Sequence, residues 1–469
     1  MTGAQAGSAI GRAAIAAAVA VGMAGPAAAA TLLGALGQAY QVNPQLNSQR
    51  AIVRQTDENV PQALAGYRPQ ASVTAQAGEQ YNWQLVDVDS GGGGPRIKSA
   101  GSTQPRSVAL NATQTLFNGF RTGNTVRQSE SQVFAARATL RVIEQQVLLD
   151  AATAYMDVLR DAAILEVQRS NVRVLGETLR QTRDRFNVGE VTRTDVAQAE
   201  ARLALGQSQF LAAESNLSSS KATYRRVIGS EPAQLAPGSP VDRLSPRTLA
   251  AAVEVGVLNN PAVTAAMYGV DVAQLAVKVS EGALYPTVAL QGNVTRAHDV
   301  TLSIPEQFTA SALVVAQIPL YQGGREYSAI RQSKEALGQR RLDLATNRDQ
   351  VRANVVQAWA QHEAAKAQIQ AAGEQVRASE VALNGVREEA RVGQRTTLDV
   401  LNAQQDLVNA RQILVTAQHD RVVASYALLA AVGRLSPQVL GLPTSIYDPM
   451  VHYQQVRDAW GGVRTPDGR

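Results

Sequence analysis

The 469-residue chain contains no cysteine. That absence excludes disulfide scaffolds, thiolate zinc sites, cysteine nucleophiles and a lipid-modified N-terminal cysteine. Aromatic residues are scarce too, at 4%. They are too few for several large aromatic-packed cores, so long alanine-rich helices fit the composition better. The four histidines, His298, His362, His419 and His452, never fall at the i, i+4 spacing that puts two ligands on one helical face. No nucleotide loop, Ser-His-Asp arrangement or carboxylate pair stands out, so no metal, no cofactor and no catalytic residue is expected. The charge excess is mild, +5 from 44 Lys plus Arg against 39 Asp plus Glu, and no nucleic-acid partner is expected.

Long hydrophobic runs are also rare. Arg12 precedes the apolar run Ala13 to Met23, and small residues follow through Pro26 to Ala30. This is the layout of a secretory signal peptide, assigned to residues 1–30. No later segment reaches membrane-spanning length without charges, so the exported chain is expected to lack a transmembrane helix. Any span must then be a β-barrel.

What the chain does have is an internal duplication. Asn43-Pro44 recurs as Asn260-Pro261 and Pro69 as Pro286, both 217 positions on. Leu116-Phe117-Asn118-Gly119 recurs as Leu320-Tyr321-Gln322-Gly323, Val188-Gly189 as Val392-Gly393, Thr194-Asp195-Val196 as Leu398-Asp399-Val400, and Ile228-Gly229 as Val432-Gly433, all 204 positions on. The difference falls in an insertion of the first copy that contains Gly91 to Gly94, which an exposed loop tolerates. The expected organisation is therefore a first repeat at 31–240, a second at 241–436, and a proline-broken periplasmic tail at 437–469. That tail is expected to pack on the outside or stay mobile.

Each copy reads as helix, two strands, long helix, shorter helix. Ala71, Val73, Ala75, Ala77, Tyr81 and Trp83 alternate with polar residues, a face interrupted at Glu79. Val108, Leu110, Ala112 and Leu116 form the second apolar face, Val288, Leu290 and Val294 the third, and Ala310, Ala312, Val314 and Ile318 the fourth. Alternation alone also describes a soluble antiparallel sheet. In an exported chain it predicts four transmembrane strands, and because a membrane barrel needs about eight, several chains must close it together. Tyr81 and Trp83 would suit an aromatic girdle at the membrane interface.

No proline occurs between Pro105 and Pro232 or between Pro319 and Pro437. Uninterrupted helices are predicted from about Thr122 to Phe186 and from about Arg325 to Arg391, each roughly 100 Å long at 1.5 Å per residue. Each ends at a glycine, Gly189 or Gly393, and returns as a shorter helix, from about Asp195 to Ile228 or from about Asp399 to Val432. The helices before the strands are predicted at Leu32 to Ala65 and Thr248 to Ala283. Thr192 with Asp195, and Thr396 with Asp399, read as capping boxes. Gly323-Gly324-Arg325 and Asn118-Gly119-Phe120-Arg121 lack the Lys-Ser/Thr of a P-loop and read as strand-to-helix junctions.

With its signal peptide, tandem copies and the turns VGEVTRTDV (188–196) and VGQRTTLDVLNAQ (392–404), the chain resembles the TolC family of outer membrane factors from about Thr31 to Leu435. The resemblance implies a mainly α fold with a small β part: long helical hairpins plus four barrel strands per chain, three chains closing a 12-stranded barrel on a helical tunnel. It implies a pore constriction at Asp399, with Asn402 where the family pattern carries a second aspartate. That departure argues for a weaker negative ring. It further implies a tip gating network of Arg395 with Thr194 and Asp195, missing an aromatic hydroxyl where Ala390 stands. The implied partners are two further copies of the chain, outer membrane lipid, a periplasmic adaptor and an inner membrane ABC or proton-driven transporter. The function so implied is a passive exit duct with no enzymatic activity, for type I protein secretion in the first instance and drug efflux in the second. An exported structural coiled-coil protein is the alternative from another class.

Overall fold

The computed structural model describes residues 31–87, 96–466 and 468. The signal segment and the Gly91 to Gly94 stretch lie outside the described residues. The elements run α1 (Leu32–Val42), α2 (Pro44–Asp57), α3 (Asn59–Leu64), β1 (Gln70–Ala77), β2 (Gln80–Asp87), β3 (Arg96–Thr103), β4 (Arg106–Asn118), α4 (Arg121–Asn187) and α5 (Arg193–Ile228). The second copy follows with α6 (Leu249–Asn259), α7 (Pro261–Glu281), β5 (Thr287–Thr301), β6 (Ile304–Gln317), α8 (Arg325–Arg391) and α9 (Thr397–Ala431), then α10 (Pro437–Leu440) and α11 (Pro449–Val456).

The two long helices have 67 residues each, so each runs about 100 Å. Their ends agree with the sequence reading to within one residue. The helices ahead of the strands do not, because each is cut at its Asn-Pro. Proline removes the N–H that a continuing helix needs but is well suited to a first helical turn. Asn43 Oδ1 accepts from the Gln45 and Leu46 amides, and Asn260 Oδ1 accepts from Ala262, so each Asn caps a new helix.

The same two asparagines close each repeat on itself. Asn43 Nδ2 donates to the Val227 carbonyl at the end of α5 (3.0 Å), and Asn260 Nδ2 donates to Ala431 at the end of α9 (3.1 Å). The glycine beyond each of these helix ends has positive φ, +88° at Gly229 and +77° at Gly433. At Gly433 a Cβ would meet the Asn260 Cα at 2.6 Å, so the approach requires glycine. Around this junction the main core gathers Leu36, Tyr40, Leu46, Leu148, Tyr155, Ile228, Tyr426 and Leu429. The linker between repeats crosses it, with Asp242 bonded to both His362 and Arg421.

The strand count differs from the four expected. Among the described residues there are six, in a four-stranded antiparallel sheet of order β1-β4-β5-β6 and a separate two-stranded β2-β3 ribbon. The predicted first strand breaks at Gly78-Glu79, opposite Gln104-Pro105. Pro105 cannot donate to the ladder, and the Gly78 amide closes the junction on the Pro105 carbonyl (3.1 Å).

The sheet has two chemically distinct faces. Val73, Leu110, Val294 and Ala310 lie opposite one another in a row across all four strands, and Ser72, Asn111, Asn293 and Ser311 form the adjacent row. Asn293 Nδ2 donates to Asn111 Oδ1 at 2.8 Å within that polar row. The apolar row is open to the outside, Val73 being 69% exposed. A strand of 13 residues such as β4 spans about 43 Å, and tilted by about 40° it matches a hydrocarbon core of roughly 30 Å.

One stretch outside the strands approaches membrane-spanning composition. The helical stretch Leu249–Leu284 is, by length and composition, long and apolar enough to cross a membrane, with a mean hydropathy of 1.2. The Asn260-Pro261 break bends this stretch against the helical body, where Val263 joins Ala252, Val351, Val355 and Leu428 in a second apolar cluster. The chain's final segment is ordered along the helices, with His452 Nδ1 3.0 Å from Asp57.

Candidate functional site at the hairpin tips

Both long helices end in the same turn, built by the same residues. The Glu190 amide donates to the Arg185 carbonyl and the Gln394 amide to Glu389, both at 2.9 Å, over Gly189 and Gly393, each at φ +82°. A left-handed residue is what this C-terminal cap demands, and glycine adopts it without Cβ strain. The chain then re-enters a helix through a reciprocal capping box. Asp195 Oδ2 accepts from the Thr192 amide (2.9 Å) and hydroxyl (2.7 Å), and Thr192 Oγ1 accepts from the Asp195 amide (3.3 Å). In the second hairpin Asp399 Oδ2 accepts from the Thr396 amide (2.9 Å) and hydroxyl (2.8 Å), and Thr396 Oγ1 accepts from the Asp399 amide (3.2 Å).

These bonds fix the charge of both carboxylates. The Thr192 hydroxyl, followed by its amide, holds the Asp195 pKa below the ordinary value. The Thr396 amide, followed by its hydroxyl, does the same for Asp399. Both stay ionised at neutral pH, where a helix N-terminus favours negative charge.

Arg395 does not reach Asp195 within one chain. Its Nε donates to Glu389 (2.8 Å), which, together with Asp399 nearby, keeps the guanidinium pKa high. Arg391 pairs with Glu388 at 3.1 Å. Thr194 is exposed, one residue into α5. The expected Arg395, Thr194 and Asp195 set is therefore not assembled inside a protomer.

The contact that does join the two hairpins was not read from the sequence. Arg202 Nη2 on α5 donates to Asn402 Oδ1 on α9 at 2.7 Å. Just above it, Gln404 Nε2 lies 3.4 Å from Asn171 Oδ1 on α4, and Arg387 on α8 donates to Gln404 Oε1 at 3.1 Å. An apolar cluster of Leu175, Leu179, Ala199 and Leu401 packs beside these bonds. All four tip helices are thereby coupled, with Asn402 occupied by a cation from the neighbouring hairpin. Between the ends of α4 and α8 a cleft of about 800 Å³ is lined by Arg173, Arg185, Arg387 and Arg391, facing Glu177 and Glu388.

Known proteins share this design. The family model described as outer membrane efflux protein matches residues 35–230 and 257–434. The outer membrane efflux protein BepC of Brucella suis biovar 1 is 43% identical over 440 residues, covering 94% of this chain and 93% of that protein. The alkaline protease secretion protein AprF of Pseudomonas aeruginosa is 26% identical over 303 residues, 63% of each. The CmeC outer membrane channel of Campylobacter jejuni has the same fold, with a TM-score of 0.74 over 91% of this chain and 89% of that one at 15% identity. The duplicated hairpins and the two-faced sheet are those of a TolC-type outer membrane factor: the chain belongs to the outer membrane efflux protein family and resides in the outer membrane, with its helical body in the periplasm.

Proposed function

We propose that three copies of the chain close a 12-stranded barrel over a continuous helical tunnel, and that this duct passively conducts small molecules delivered by an energised inner membrane transporter. The observation that carries the reading is the four-stranded sheet. It is apolar on one face, polar on the other and bounded by the unpaired edges of β1 and β6. Open edges do not persist in a bilayer, and four strands are about half the smallest barrel, so further copies must supply the closure. The helices favour the same assembly. Among 67 residues, α4 buries 19 but α8 only 8, which leaves one side of the second hairpin open to a neighbour.

In this assembly Asp399 and Asn402 narrow the pore at the tips, and the Arg-lined cleft between α4 and α8 receives a periplasmic adaptor. Docking there favours outward-splayed hairpins: the Arg202–Asn402 bond and the ion pairs of Arg391 and Arg395 are exposed and contribute little, and they yield before the buried Gln404–Asn171 bond does. Small-molecule efflux takes first place over type I protein secretion, reversing the order drawn from sequence, because the relative named as an efflux protein is 43% identical over nearly the whole chain. Secretion is the second reading, favoured by the likeness to AprF. A deletion strain distinguishes them. Efflux predicts increased sensitivity to several unrelated amphiphilic drugs with an unchanged set of secreted proteins, whereas loss of a secreted protein without drug sensitivity would reverse the order again.

A further inference from the structure

The segment after α9 climbs the outside of the helical body toward the sheet. The Tyr447 amide donates to the Tyr40 hydroxyl on α1 (3.3 Å), His452 meets Asp57 at the end of α2 (3.0 Å), and the Ala459 carbonyl accepts from Arg68 Nη1 (2.6 Å). Tyr40, Asp57 and Arg68 mark successive levels on the way to β1, which starts at Gln70. At Ala459 and Trp460 the strap thus reaches the helix-proximal rim of the sheet. There it presents Trp460, 75% exposed, with the Arg68 guanidinium 4.6 Å from the ring centroid.

Trp460 is not alone at that level. Each of the four sheet strands carries an exposed aromatic residue where it meets the helices: Tyr67 before β1, Phe120 after β4, Tyr285 before β5 and Tyr321 after β6. Phe120 takes a left-handed conformation (φ +60°), uncommon for a bulky residue, and keeps edge contacts with Phe117 and Tyr285. Arg121 and Arg325 open the two long helices at the same rim, with Glu326 pairing Arg325. Rings that are apolar in body and polar at the edge settle at the headgroup level of a bilayer, and arginines there meet phosphate. A soluble surface of this size would gain nothing by exposing five aromatic rings in one band.

We infer that the strap is a membrane contact: Trp460, held on Arg68, extends the periplasmic aromatic band of the barrel and docks against phospholipid headgroups of the inner leaflet. This rests on the reading that β1, β4, β5 and β6 lie in the bilayer. The strap then links the core around Tyr40 to the membrane surface and fixes the depth at which the barrel sits.

The chain has three tryptophans, Trp83, Trp359 and Trp460, which makes the test direct. A Trp83→Phe, Trp359→Phe variant leaves Trp460 as the only emitter. A control carries Trp83→Phe, Trp359→Phe, Trp460→Phe and Ala310→Trp, its reporter at the centre of the apolar row. Both are reconstituted into phosphatidylethanolamine–phosphatidylglycerol vesicles containing lipids brominated either near the headgroup or near the chain ends. The inference predicts that Trp460 loses most of its emission to shallow bromines and little to deep ones, while the control is quenched chiefly by deep ones. A quenched control with Trp460 emission unchanged by either lipid would overturn the strap contact and leave the barrel standing. An unquenched control would overturn the barrel reading, and the strap contact with it.

Discussion

His419 shows how the helical body holds its buried charge. It is 8% exposed, with Nε2 3.0 Å from Asp157 on α4 and Nδ1 2.8 Å from Asp420. Burial alone would discharge the ring, but the two carboxylates outweigh it and raise its pKa above the ordinary 6.5. Asp157 is likewise held below its ordinary 3.8, burial opposing and His419 and Arg160 prevailing. A raised imidazole stabilises the fold fully below its unfolded pKa and loses that contribution as pH rises through the folded one. A depressed carboxylate stabilises above its unfolded pKa and loses that contribution in acid. The pair therefore contributes fully between pH 3.8 and 6.5. Thermal melts followed by helical circular dichroism should show His419→Gln clearly less stable than wild type at pH 5.5, with the gap narrowing toward pH 9; a gap that widens with pH would refute the pairing. At the tips Arg202 bonds across the two hairpins of one chain, whereas Arg395 bonds within its own turn. Single-channel recordings should therefore find that Arg202→Ala raises closed-state conductance more than Arg395→Ala. Asn402→Asp, which turns the bond into an ion pair, should lower it.

The repeated Asn-Pro is the device by which each short helix pair docks on the hairpin before the next element. Asn43→Ala removes a cap worth about 0.5 to 2 kcal/mol and orphans the buried Val227 carbonyl at about 1 to 3 kcal/mol. The expected result is an early melting step and faster proteolysis at the junction, and Asn260→Ala should reproduce it more weakly because its site is less buried. Asn43→Asp keeps the cap but not the donor, so it should fall between wild type and alanine. These elements were largely legible in the sequence, since the 204-residue offset carried from Gly119 and Gly323 to Gly229 and Gly433, and the proline-free stretches set α4 and α8. The break between β1 and β2 was hinted at by the interrupted face at Glu79 but not read as a break, because side-chain parity runs unchanged from Ala77 to Tyr81 and alternation cannot register a kink. Pro105, opposite it, was the available signal. Arg202 was hidden for another reason: its partner lies 200 residues away, and one arginine on a helix rich in polar residues leaves no periodic trace. The strap after Leu435 has no repeat counterpart and no long amphipathic pattern, so its course depends on tertiary contacts such as that between His452 and Asp57.

For the whole molecule, closure is a statement about edges. In the order β1-β4-β5-β6 neighbouring strands are antiparallel throughout, so β1 and β6 run in opposite directions. The β6 of one copy can therefore pair with the β1 of the next in the same antiparallel sense, and the proposed barrel follows if three such steps complete a full turn, whereas a rotation that does not close gives an open fibre. The chain has no cysteine of its own, so introduced thiols report only on this contact. A cysteine fixed at Val73 on β1 is combined in turn with one at each position from Thr309 to Val315 on β6, and outer membranes are oxidised and run without reductant. Closure by three chains predicts that pairs in one register give covalent dimer and trimer bands and nothing larger, because only facing Cβ atoms come within about 4.5 Å. The residues immediately before and after the cross-linking position should give no band, since their side chains point to the opposite face of the sheet. A ladder extending beyond three chains would mean an open array. Monomer bands alone at every position would mean that β1 and β6 never meet and that the barrel is closed some other way.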